Sequence, residues 1–200
     1  MFIRQLIASR FTYAAIRIAG YVFLIAYLVF VGDWRISAVW VLAYCVISFS
    51  IAWLFPRVKL LNRFPQLHRY LLYPPNNIGT EKHLSDNEWS LAKAKYAESA
   101  FRGNAILFTP AEDGLICVPV LLVGVSAISA AFGGIFFGIL HLGRFTFFEC
   151  LSKTIYYILV CYFVLPNGLL NIVVGHLVIN ALSFALLKLA IHNLSKESQI

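Results

Sequence analysis

Residues 114–142 read GLICVPVLLVGVSAISAAFGGIFFGILHL, and this stretch decides the fold class. A helix rises about 1.5 Å per residue and a bilayer core needs about 20 apolar residues, so the stretch is too long for one comfortable membrane span. Small residues collect between Ser126 and Ala131, where a division into two tightly packed helices is favoured. The stretch therefore predicts a pair of membrane helices.

Further apolar runs flank this pair on both sides. They cover about Tyr13–Val31, Ile36–Phe55, Thr154–Leu165 and Gly168–Leu189. The chain is 60% hydrophobic and only 12% charged, whereas soluble domains carry about 25% charged residues. We therefore expect an all-α fold, a polytopic membrane helix bundle of about six transmembrane helices.

The segment between the second and third runs is polar and basic. Residues 56–104 contain eight basic side chains, and Ser85-x-x-Glu88 is typical of the start of a helix. We interpret that helix as interfacial, lying on the lipid headgroups, with substrate docking as the open alternative. The sequence thus predicts an N-terminal transmembrane hairpin (1–55), a cytoplasmic basic segment (56–104) and a C-terminal core (105–200).

The net charge of +7 indicates membrane topology rather than nucleic-acid binding, because the basic residues lie between apolar runs and not along a groove-reading helix. If the N-terminus is cytoplasmic, nearly every basic connection is cytoplasmic too and only Arg35 falls outside. We expect a multi-pass integral membrane protein with both termini in the cytoplasm, the lipid bilayer as a partner and no nucleic acid.

Polar side chains at membrane depth are costly and are therefore functional candidates. They are Glu112 with Asp113, His141, and His176 with Asn180. By helical rise they lie roughly 12 to 22 Å below the outer ends of their spans. Three separate spans thus bring polar groups to similar depth, which favours a shared site.

Each of these side chains also has a purely structural interpretation. The histidines and Asn180 can form interhelical hydrogen bonds, as polar residues in membrane bundles commonly do. Thr109-Pro110-Ala111-Glu112 fits a helix start, with Thr109 as the N-cap and Glu112 reaching back to it. Local sequence alone leaves capping and catalysis open for Glu112.

Three short motifs resemble those of the CPBP family, the CAAX protease and bacteriocin-processing intramembrane proteases. Phe137-x-x-x-His141 matches FxxxH and His176-x-x-x-Asn180 matches HxxxN, in the family's order and rough spacing. Residues 112–117, EDGLIC, resemble the first motif, EExxxR. The resemblance covers about residues 109–187 and implies a four-helix catalytic core in a prokaryotic cytoplasmic membrane, with the first two spans and the polar segment as accessories.

The resemblance implies an endopeptidase that cleaves membrane-anchored or membrane-associated proteins or peptides from the cytoplasmic side. Glu112 would be the general base that activates water, and His141 would help to orient or activate that water. His176 and Asn180 would stabilise the oxyanion, because donors aimed at a developing negative charge lower the barrier. Asp113 and Phe137 would support these four catalytic residues.

The first motif departs from the family at two positions. Asp113 stands where the second glutamate is expected, and Cys117 stands where the arginine is expected. A thiol in an apolar helix supplies no positive charge. Arg144, one helical turn beyond His141, is a candidate substitute, and its alternative interpretation is a loop residue that sets topology.

Other classes of function stay open beside the protease. Two histidines and a carboxylate are also the ligand set of a catalytic zinc site; we expect no cofactor, with a divalent metal such as zinc as the alternative. The altered first motif favours a non-proteolytic membrane scaffold or immunity protein that retains the CPBP fold. A small transporter would predict discontinuous helices or inverted repeats, and neither is evident.

Overall fold

The structure is a computed structural model that describes residues 10–54, 107–141 and 147–197. Within these ranges the chain is all-helical and contains no strand. The helices in chain order are α1 (Arg10–Val31), α2 (Ala38–Leu54), α3 (107–123), α4 (Ala127–His141), α5 (Phe147–Phe163) and α6 (Leu169–Glu197), with a 3-10 turn at Leu165–Asn167. The predicted all-α class is confirmed.

Three segments of the described chain are long and apolar enough to cross a membrane: Ala14–Val31, Glu149–Asn167 and Leu169–Asn193. The helices Ala38–Leu54 and Ala127–His141 are apolar but shorter. Large apolar side chains face outwards along the bundle, which is typical of a surface that lipid covers; examples are Phe30, Ile128 and Leu122. These helices indicate a membrane protein, and six membrane crossings stay a prediction.

The long apolar stretch divides into two helices, as predicted, at residues 124–126. Gly124 adopts a φ of +88°, a backbone conformation that glycine reaches without steric cost. Ser126 then caps α4: its Oγ accepts from the Ser129 backbone N–H at 3.1 Å, and Ser129 Oγ accepts from the Ser126 N–H at 2.9 Å. This reciprocal pair satisfies two backbone donors that a helix start leaves free.

The fifth helix begins earlier than the sequence predicts. We expect the run to start at Thr154, but α5 begins at Phe147 and so contains Glu149 and Lys153. The hydropathy pattern missed this first part because polar residues interrupt it. The predicted interfacial helix, the whole basic segment 56–104 and Arg144 lie outside the described residues.

Glycines let the helices approach closely around the motif residues. A Cβ placed on Gly134 or Gly138 would collide with α5 at Thr154, and these two glycines are spaced GxxxG, a common packing pattern in membranes. On the other side of the bundle, a Cβ on Gly20 of α1 would collide with the backbone of Ala111 in α3. The N-terminal hairpin therefore packs directly against the helix that carries the first motif.

Candidate functional site

The capping interpretation of Glu112 is wrong. Residues 107–110 are already helical, so Thr109 lies inside α3 and cannot be its N-cap. The Oγ1 of Thr109 instead accepts a hydrogen bond from Nδ2 of Asn180 at 2.7 Å. The Thr109 hydroxyl thus makes a tertiary contact with α6, and Glu112 is buried in the body of the helix with 7% of its surface exposed.

Asp113, beside Glu112 in sequence, joins α3 to α5 and α6. Its Oδ1 accepts a hydrogen bond from the Tyr157 hydroxyl at 2.6 Å and lies 3.0 Å from Nδ1 of His176. All three side chains are buried. The second carboxyl oxygen, Oδ2, has no hydrogen-bond partner among the described residues. Asp113 therefore contacts the third motif directly, a role that the sequence assigned only as support.

The contact with Asp113 orients the imidazole of His176. Oδ1 accepts from the Tyr157 hydroxyl, and with the same oxygen as acceptor Nδ1 of His176 is the donor in the second contact. Nε2 then lies at the opposite edge of the ring. The ring is held from a further side by Tyr44 of α2, whose ring stacks on it at a centroid distance of 5.9 Å and an angle of 27°.

Phe137, the aromatic residue of the second motif, lies between the two motif histidines. Its ring centroid is 4.4 Å from that of His141 and 5.7 Å from that of His176. It also stacks on Tyr157 at 4.0 Å, with only 9° between the ring planes. The Phe137 ring thus connects the second motif to the third and to α5.

His141 is oriented by its own helix. Its Nδ1 lies 2.7 Å from the carbonyl oxygen of Phe137, one turn earlier. Because a carbonyl oxygen cannot donate, Nδ1 carries the hydrogen in this contact. His141 is half-buried, whereas His176 is buried.

Glu112 also interacts with α5. It interacts electrostatically with Lys153 and with Tyr156, both on α5. Tyr156 and Tyr157 follow Lys153 by three and four residues, so all three share one face of that helix. Sequence reasoning began the fifth run at Thr154, after Lys153, and assigned no role to the two tyrosines; the i, i+3, i+4 spacing was the signal that could have found them.

The structure thus brings Asp113, Phe137 and His176 into one buried cluster, which the half-buried His141 joins through the Phe137 ring. Direct contacts link Asp113 to His176, Phe137 to both histidines, and Asn180 to the same helix as Glu112. Among the residues that the structure describes, no three histidine, cysteine or carboxylate side chains are grouped as ligands for a metal ion.

No protein-family model, no curated protein and no solved structure matches the chain. The resemblance to the CPBP family therefore depends on the three short motifs alone. The contacts among their residues are an independent observation, because residues from three separate helices need not have met.

Proposed function

We propose that the chain is an intramembrane endopeptidase of the CPBP type, which hydrolyses membrane-anchored or membrane-associated proteins or peptides. One observation carries the proposal: direct contacts within apolar helices join Asp113 of the first motif, Phe137 and His141 of the second, and His176 of the third. Buried polar groups in such a place need a reason, since each one costs free energy in lipid.

The reaction assigns a task to each motif. Glu112 accepts a proton from water while the water oxygen attacks the peptide carbonyl carbon, and His141 orients that water. Asn180 and the Nε2–H of a doubly protonated His176, whose Nδ1–H is bonded to Asp113, stabilise the oxyanion that forms. Asn180 can do so while bonded to Thr109, because an amide has two N–H donors. Collapse of the intermediate returns the proton to the departing amine.

In this proposal the protein is a multi-pass protein of about six spans in a prokaryotic cytoplasmic membrane, with both termini in the cytoplasm. The lipid bilayer and the substrate are its partners, and it requires no cofactor. Loss of cleavage in a chelator, followed by recovery with one divalent ion such as zinc, would replace the glutamate mechanism by a metal mechanism.

A non-proteolytic scaffold or immunity protein is the second candidate. The observation that favours it is the closure of the polar contacts: Asn180 is bonded to Thr109, and Asp113 to both Tyr157 and His176. Polar pairs of this kind also form between membrane helices for purely structural reasons. Cys117 in place of the motif arginine likewise favours a protein without proteolytic activity.

The proposal is tested by comparing the membrane proteomes of cells that express the wild type, Glu112→Gln or His141→Ala at matched levels. We expect at least one intact membrane protein to accumulate in both variants, because each lacks part of the water-activating pair. The matched controls are Asp33→Asn, in the loop between α1 and α2, and His192→Gln, at an exposed position of α6. If neither active-site variant accumulates an uncleaved protein, the scaffold is favoured.

A further inference from the structure

Tyr157 lies outside all three motifs, yet it touches two of them. Its hydroxyl donates to Oδ1 of Asp113 at 2.6 Å, and its ring stacks flat on Phe137 at 4.0 Å. The side chain is completely buried. A phenol has one hydrogen to donate, and here Asp113 takes it.

Cys117 continues this chain of contacts. It follows Asp113 by one helical turn, so both side chains lie on the same face of α3. Its Sγ is 3.2 Å from the Tyr157 hydroxyl oxygen. Since the phenol hydrogen points at Asp113, the thiol is the donor in the second contact. The contacts therefore run from the Cys117 thiol to Tyr157, from Tyr157 to Asp113, and from His176 to the same carboxyl oxygen.

We propose that Tyr157, together with Cys117, is a positioning residue that acts on His176 through Asp113. Tyr157 holds Asp113 in the rotamer that bonds Nδ1 of His176, and thereby directs Nε2, at the opposite edge of the ring, towards the substrate. The catalytic part of this inference rests on the proposed protease function. The positioning part does not.

A phenol is a suitable donor at a buried position. An arginine would bring a permanent charge that must be balanced in low dielectric. The Tyr157 hydroxyl supplies a directional donor to Asp113 without that charge, and it contacts the small thiol of Cys117 on the same face of α3. The stack on Phe137 then fixes the direction of the hydroxyl.

The test uses Tyr157→Phe, which removes one oxygen and keeps the stacked ring. Tyr162→Phe is the matched control, because it makes the same change at an exposed position of the same helix. The first readout is the ¹⁵N spectrum of histidine-labelled protein in detergent micelles, with the His176 signals assigned by His176→Gln. We expect one set of His176 signals, with a hydrogen-bonded Nδ1–H, in the wild type and in Tyr162→Phe, and an altered set in Tyr157→Phe.

The second readout is the formation of new N-termini in the membrane fraction. Loss of a hydrogen bond to a charged group costs a factor of about ten or more, so Tyr157→Phe is expected to lower cleavage about tenfold, through the rate and not through substrate affinity. If Tyr157→Phe does not fold, Cys117→Val is compared with Cys117→Ser, which keeps a donor. Only the valine variant is then expected to change the His176 signals.

The two readouts separate the two proposals. Unchanged His176 signals in Tyr157→Phe, or in Cys117→Val where that pair is used, overturn the positioning inference even if Glu112→Gln abolishes cleavage. Changed signals in a protein whose membrane proteome is indifferent to Glu112→Gln support the positioning of His176 and overturn its catalytic purpose.

Discussion

Two aspartate pairs of this protein lie in contrasting surroundings. In the loop between α1 and α2, Arg35 donates to both carboxyl oxygens of Asp33, at 2.7 and 3.3 Å, and the arginine side chain is exposed. In the cluster, Asp113 lies 3.0 Å from Nδ1 of His176, and both side chains are buried. The distances are alike, but water competes with the first pair and not with the second.

The difference decides which pair the fold depends on. An exposed ion pair exchanges one set of solvated contacts for another and contributes little to stability. Removing one member of a buried pair leaves the other without a partner and without water. The loss of Asp113 would leave the donors of His176 and Tyr157 unpaired together, so this carboxylate is the point where the cluster can be broken.

The largest effect is expected for Asp113→Leu. Two buried donors lose their common acceptor, which should lower the free energy of unfolding by about 3 kcal/mol or more. The measurement is the unfolding midpoint in detergent micelles. A double variant, Asp113→Leu with His176→Leu, is expected to recover part of the loss, because an apolar pair needs no partner. Equal stability of wild type and Asp113→Leu would mean that the buried contacts of Asp113 do not contribute to the free energy of unfolding.

A smaller loss is expected for Gly175→Ala, which disturbs the wall of the cluster. The new methyl group would lie about 2.6 Å from the Tyr44 ring that stacks on His176, and such overpacking typically costs about 1 to 3 kcal/mol. Thermal unfolding followed by circular dichroism measures the loss. Tyr44→Leu in the same chain should relieve the clash; a double variant that is less stable than either single variant would refute this packing.

The next effect concerns the hydrogen bond between Asn180 and Thr109. Asn180→Ala should cost about 1 kcal/mol, the usual net value of one hydrogen bond. A double-mutant cycle with Thr109→Ala measures the coupling between the two side chains. Additive losses would show that the 2.7 Å contact contributes nothing of its own.

The smallest effect is expected at the exposed pair. Asp33→Asn should lower the unfolding midpoint only slightly at neutral pH, less than any variant above, because solvent screens the contact. The hydrogen bond from Arg35 lowers the pKa of Asp33 below its ordinary 3.8. Its small contribution is therefore complete above that value and disappears as the pH falls through the lowered pKa. Unfolding midpoints of the wild type and Asp33→Asn should thus coincide at pH 3 more closely than at pH 6.

The sequence predicted what depends on composition and spacing. The length of the apolar runs located α1, α2, α4 and α6 closely, and the small residues before Ala131 indicated the division of the long stretch. The spacing of FxxxH and HxxxN, together with depth along the helices, predicted that polar side chains would meet. These features are local, so they can be recognised in a single amino-acid sequence.

What the sequence could not predict depends on tertiary contacts. Thr109 has the local signature of a cap, but its bond to Asn180 is made across two helices. The role of Tyr157 was not predicted, because aromatic residues in an apolar run usually pack in a core. Its hydroxyl is recognised as a hydrogen-bond donor to the cluster only once the position of Asp113 is known. The packing of Gly20 on Ala111 likewise depends on how two distant helices approach.

The most direct test of the central claim is a count of new N-termini in membranes from cells that express the wild type, Glu112→Gln, His176→Gln and the double variant at matched levels. If the motifs form one proteolytic site, both single variants lose the same set of termini, and the double variant loses no others. Termini that persist in Glu112→Gln, or different sets lost in the two single variants, would contradict the account.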